Sequence, residues 1–125
     1  MRQFSALPLL AIGAIVFLGG CNSNNEGKIE GTRWSSLEMN IQGQTVPAGT
    51  LRLEFKKDGK LAYVTPVGNF NGSYDLGWGD SVTLNLDREL AGRKSHTESI
   101  VVNGKRMTVT DKDGTAADFR LVSRE

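Results

Sequence analysis

From Leu51 onward the chain alternates apolar and polar residues with a period of two, in short runs separated by turn residues. That pattern constrains the fold most, because it places every second side chain on one face of an extended strand and leaves no helical stripe. Leu51, Leu53 and Phe55 alternate with Arg52, Glu54 and Lys56, and Asp58-Gly59 then offers a hairpin turn in which both central positions can take positive φ. Leu61 and Tyr63 continue until Pro66 ends the run. Phe70, Gly72, Tyr74 and Leu76 share the next face, Gly77-Trp78-Gly79-Asp80 forms a turn, and Val82, Leu84 and Leu86 follow. A strand from about Ser95 through Val102 reaches the turn Asn103-Gly104. Met107 and Val109 lead to Asp113-Gly114, and Ala117, Phe119 and Leu121 close the series.

Upstream, Gly31-Thr32-Arg33-Trp34 opens the first strand. Trp34 and the set Leu37, Met39 and Ile41 fall on opposite parities, which requires a bulge or bend between them. Gln42-Gly43-Gln44 and Pro47-Ala48-Gly49 read as turn or loop. Asp87 to Arg93, with Gly92 and several charges, reads as the longest loop. The expectation is an all-β antiparallel meander of about eight short strands over residues 31–125, closing into a small up-and-down barrel that leaves no free edge. A two-sheet sandwich of the same strands is the alternative.

Runs of about six residues are near the common strand length and imply a shallow barrel. The expected inward residues are large: Trp34, Leu51, Leu53, Phe55, Leu61, Tyr63, Phe70, Tyr74, Leu76, Val82, Leu84, Leu86, Met107, Val109, Phe119 and Leu121. Only Gly72 and Ala117 could make space. An eight-stranded barrel stands at the boundary between a filled interior and room for one small ligand. The expectation is a filled core with at most a small pocket at one mouth near Trp78, below the roughly 300 Å³ at which ligand pockets begin.

The first twenty residues have a different character. Met1-Arg2 precedes an apolar run from Leu7 to Leu18, interrupted by Pro8 and Gly13, and Gly19-Gly20 then precede the chain's single cysteine, Cys21. A cationic start, a core of roughly a dozen apolar residues and small residues at a cleavage point form the layout of a secretory signal. The run falls short of the roughly 20 apolar residues that a transmembrane helix needs. Leu18-Gly19-Gly20-Cys21 resembles the lipobox of bacterial lipoproteins. The resemblance implies cleavage after Gly20, lipid on Cys21 and the new amino terminus, and anchorage in the cell envelope. For bacteria with two membranes that sort lipoproteins by the residue after the cysteine, the resemblance also implies, from Asn22, the outer membrane at its periplasmic face over the inner one. An ordinary signal peptide with an incidental cysteine is the alternative. Residues 21–30, small and polar from Asn22 to Lys28, read as a lipidated flexible tether.

Of 125 residues, about 105 remain after the first twenty, enough for one modest domain. These carry 14 Lys and Arg (15 less Arg2) against 14 Asp and Glu, with no basic run, which sets a nucleic-acid partner aside. One cysteine and one histidine, His96, leave no intramolecular disulfide and no multi-histidine or cysteine metal set.

Several stretches together resemble small bacterial lipocalin-like domains, including uncharacterised secreted ones of planctomycetes. They are Gly31 to Trp34, Phe55 to Leu61 (FKKDGKL), Gly72 to Leu84 (GSYDLGWGDSVTL), Asp111-Lys112-Asp113-Gly114 and Phe119-Arg120. The resemblance implies a barrel whose first-strand tryptophan, Trp34, is covered by a late arginine, Arg120. One departure is that two residues separate Gly31 from Trp34 where the lipocalin motif has one. Asn69 to Tyr74 is similar to META-type envelope domains, without the cysteine those carry nearby.

Trp34 with Arg33 or Arg120 suggests a cation–π pair at one barrel end, or a plain core tryptophan. Trp78, flanked by glycines, is either a lid folded over the barrel end or an exposed binding aromatic. These three, Trp78, Trp34 and Arg120, form the candidate binding mouth. His96 lacks a nucleophile or carboxylate at a recognisable catalytic spacing, although Glu98 shares its strand face, and reads as a solvated strand histidine. Asp111-x-Asp113-Gly114 begins like a calcium loop but lacks its later ligands and reads as a hairpin turn. No cofactor and no catalytic residue is expected. The expectation is a non-enzymatic envelope lipoprotein binding a small apolar ligand or an envelope protein, or alternatively a structural or inhibitory module with a filled core.

Overall fold

The computed structural model describes residues 22–125, so the expected signal peptide and the expected lipidation site, Cys21, lie outside the described residues. The strands are β1 (Thr32–Ser36), β2 (Met39–Ile41), β3 (Gln44–Val46), β4 (Arg52–Phe55), β5 (Lys60–Thr65), β6 (Gly68–Leu76), β7 (Ser81–Leu90), β8 (Arg93–Asn103), β9 (Arg106–Thr110) and β10 (Ala116–Arg124). Eight of them form a closed antiparallel barrel in the order β1-β4-β5-β6-β7-β8-β9-β10, with β10 returning to β1. β2 and β3 pair only with each other, as a hairpin carried on the connection between β1 and β4.

Alternation drives this architecture. Each apolar run turns its odd or even set inward, and the ladders align those sets: Trp34 opposite Leu53, Phe55 opposite Leu61, Tyr74 opposite Leu84, and Met107 opposite Phe119. Every residue expected inside, from Trp34 to Leu121, lies in the core or packs against it. Ile29, Ile100, Leu90 and Val102 join them. Phe55 and Tyr74 meet edge to face at 5.1 Å and 82°, and the Tyr74 hydroxyl donates to the Lys56 carbonyl at 2.6 Å.

The barrel has two unlike ends. Residues 22–31 seal one of them. Asn24 N donates to Gly79 O at 2.8 Å and Gly79 N to Asn22 O at 3.0 Å, while Asn25, 1% exposed, donates from Nδ2 to Ile100 O at 3.0 Å. Ile29 is fully buried. The stretch whose composition reads as a flexible tether is therefore a packed plug. The Asn25 amide satisfies backbone carbonyls at the barrel rim, the Asn24 amide donates to the Asp80 carboxylate, and the one apolar side chain enters the core, so polarity marks rim bonding here and not disorder. The other end is open, bounded by the β2-β3 hairpin and by the turns after β5, β7 and β9.

Three further expectations are corrected. Asp87 to Arg93 is no long loop: β7 and β8 form one long ribbon joined by the two-residue turn Ala91-Gly92, with φ of 54° and 81°. Beyond Leu86 the ribbon's side chains are solvated except for Leu90, which packs against the core, and so no alternation betrays it. At Asp58-Gly59 only Gly59 takes positive φ (86°), and Asp58 Oδ1 instead accepts from Lys60 N at 3.1 Å. The strands also exceed six residues in β6, β7, β8 and β10. Length does not deepen the interior, because large side chains and the Ile29 plug fill the sealed end.

Candidate functional site

The open end carries a cavity of about 180 Å³. Its walls are Leu51, Leu53, Leu84, Leu86, Leu90, Val109, Ala117 and Phe119, with Met39 and Ile41 of the β2-β3 hairpin across the entrance. Polar groups are few and gathered at the rim: Tyr63, His96, Glu98, Asp111 and Thr115. An adjoining open groove of about 460 Å³ shares Leu90, His96, Glu98 and Asp111 and adds Arg93, Lys112 and Asp113.

The topology explains why the rim groups meet. The β8–β9 ladder runs from Asn103↔Arg106 only as far as Ser99↔Thr110, whereas β8 continues with β7 down to Arg93. Residues 93–98 therefore lack a strand partner on the β9 side, and the wall opens between Glu98 and the 111–115 turn. Glu98 stands opposite Val82 in the β7 ladder, two residues before the buried Ile100, so it faces inward. Burial is the first cause that pushes its carboxyl above the ordinary value of 4.5, and the charge of Asp111 is the second, while Arg93 and Lys112 pull the other way. Burial, and then the Glu98 charge, push the Tyr63 hydroxyl up to about 12, so it stays a neutral hydrogen-bonding group. Asp111 Oδ1 accepts from Asp113 N and Thr115 N, both at 2.9 Å, which fixes the turn beside the opening. His96 Nε2 lies 2.9 Å from the Arg93 carbonyl oxygen.

A carboxyl that binds its proton more readily folded than unfolded stabilises the fold in acid, and that contribution is lost as pH rises through the folded pKa. Glu98→Gln is therefore expected to raise the denaturation midpoint near neutral pH, with the gain vanishing below the ordinary carboxyl value of 4.5. A midpoint unchanged or lowered at neutral pH would contradict a desolvated Glu98.

The candidate mouth of Trp78, Trp34 and Arg120 is not assembled. Trp78 is 76% exposed, on the β6-β7 turn at the sealed end, and is neither a lid nor a pocket wall. Glycines on both sides let the turn project without packing. Trp34 is 1% exposed, and its indole N–H donates to Thr32 Oγ1 at 2.7 Å, a core role. Arg120 lies on the outer face, since its neighbours Phe119 and Leu121 point inward, and it stands opposite Arg106 and Ser35 in the ladders. Arg33 faces out as well, 3.3 Å from Glu54. A cation–π pair is formed instead by Arg88, 4.3 Å above the Phe70 ring. The expected pocket is thus confirmed in its small size and corrected in its place: it lies at the mouth opposite Trp78. Alternation across His96 and Glu98 held the signal for the true rim, because both carry the inward parity of Ile100. Among the described residues no group of three or more His, Cys, Asp or Glu is placed to hold a metal ion.

Comparison with known proteins supports the fold and goes no further. No family model matches the chain, and no curated protein does. A crystal structure of an uncharacterized protein from Bacteroides eggerthii is similar, with a TM-score of 0.55 and 18% identity, over 72% of this chain and 97% of that one. At that identity the likeness is one of architecture, a small antiparallel barrel.

Proposed function

We propose that this is a non-enzymatic cell-envelope lipoprotein, anchored through lipid on Cys21, whose lipocalin-like barrel holds a small amphipathic molecule at its open mouth. The observation that carries the ligand reading is the lining of the mouth cavity, apolar within and polar only at the rim around Tyr63, His96, Glu98 and Asp111. Specific small-molecule sites have this composition, with apolar walls supplying affinity and a few polar groups setting orientation. A volume of about 180 Å³ restricts the buried part of the ligand to less than a drug-sized molecule. Its polar head would lie in the adjoining groove.

The carboxyl of Glu98 suits a head group that donates hydrogen bonds, and a cationic donor would oppose the upward push that burial gives it. Anchorage is supported by the Leu18-Gly19-Gly20-Cys21 motif and its preceding apolar run. The reading is tested on full-length protein purified from envelopes, by organic extraction and mass spectrometry. A small molecule recovered in stoichiometric amount is expected. Protein that yields none, and that binds none of a panel of small amphiphiles, would return the domain to a module with a filled core.

A further inference from the structure

We infer that the sealed end of the barrel lies directly on the lipid surface, with Trp78 seated in the headgroup layer and the ligand mouth facing away from it. The inference rests on the proposed acylation of Cys21. Trp78 is 76% exposed on a turn whose neighbours Gly77 and Gly79 give it no packing partner. An indole has a large apolar body and one N–H, which suits the boundary between acyl chains and water, where tryptophan is enriched.

The course of the chain identifies the surface that meets it. Asn22 is not free: its carbonyl accepts from Gly79 N at 3.0 Å, Asn24 N donates back to Gly79 O at 2.8 Å, and Asn24 Nδ2 donates to Asp80 Oδ1 at 2.8 Å. Residue 21 follows Asn22 by a single peptide unit, about 3.8 Å between Cα atoms. A flexible linker of n residues would let a domain wander about 5–6 Å × √n from its anchor. Here the hydrogen-bonded plug removes that freedom, so acyl chains on Cys21 begin beside the Trp78 turn. Val101, 47% exposed near the end of β8, adds apolar surface on the outer wall towards the same end. The open mouth is at the opposite end of every barrel strand. Its ligand therefore exchanges with the aqueous phase and not with the bilayer interior.

Fluorescence of the full-length acylated protein in phospholipid vesicles with brominated acyl chains tests this, because Trp34 is buried and serves as an internal reference. Emission of the wild type is expected to shift to the blue on vesicle binding and to lose the larger part of the Trp78 component. Trp78→Phe, a change on an exposed turn, is expected to show neither effect while still floating with the vesicles. Acylated, vesicle-bound protein whose Trp78 stays unquenched and open to aqueous iodide would overturn the inference and leave the anchor standing. Equal quenching in Trp78→Phe would overturn it too, by tracing the effect to another site. A protein without acyl mass that fails to float with vesicles would overturn the anchor reading, and this inference with it.

Discussion

Phe119→Ala is expected to lower the stability of the domain by about 3–5 kcal/mol, the usual cost of deleting a buried aromatic ring. Phe119 is 1% exposed, stands opposite Met107 in one ladder and Ser36 in the other, and forms part of the wall of the mouth cavity. Removing it takes away the ring's transfer energy and joins its vacated volume to existing empty space, so relaxation recovers little. Typical domains hold only about 5–15 kcal/mol in total, so this change takes a large share. Denaturant unfolding should show a lower midpoint with an unchanged slope. A loss below about 1 kcal/mol, on the scale of the method's error, would place the ring outside the core.

Gly72→Ala is expected to be at least as damaging, at about 3 kcal/mol or more, because overpacking a site that cannot yield costs more than ordinary crowding. A Cβ at residue 72 would stand 1.8 Å from the carbonyl oxygen of Asn85 and 2.8 Å from its carbon, both backbone atoms. The glycine serves a close approach of β6 and β7, where Gly72 faces Leu86. It does not widen the interior. Gly104→Ala is the matched comparison: φ is 64° there and nothing lies within 4 Å, so only the left-handed penalty of about 1–2 kcal/mol applies. If the two variants unfolded at the same denaturant concentration, the close approach would not be the reason for Gly72.

The core was legible in the sequence wherever a strand had one wet face and one dry one. Leu53 and Phe55, Val82 to Leu86, and Phe119 announce their parity because solvent selects the residues between them. The signal failed in two physical situations. Where the β7-β8 ribbon leaves the core, nearly every side chain is wet, and Leu90, the one half-buried residue from Asp87 to Arg93, sets up no alternation. Where the chain plugs the sealed end, the packing is made of amide side chains and one isoleucine, which composition cannot tell from a tether. The site suffered from the same limit. Trp78 is a large aromatic among glycines, the pattern of a binding tip, yet it projects from the end opposite the pocket. Glu98 and His96 share a strand face, and their parity with Ile100 turns that face inward, but their convergence with Asp111 depends on where the β9 ladder stops, which no local pattern records.

The most direct test of the mouth as a ligand site fills it. Ala117 lines the cavity, is half-buried and carries the smallest inward side chain on β10. Ala117→Leu should occupy part of the 180 Å³ without displacing a core residue. Native mass spectra of the wild type and the variant, both purified from envelopes, give the comparison. The wild type is expected to carry an added small-molecule mass, and Ala117→Leu to lack it while unfolding at the wild-type temperature. An adduct retained in full by a folded Ala117→Leu protein, or absent from both proteins, would contradict a ligand seated at this mouth.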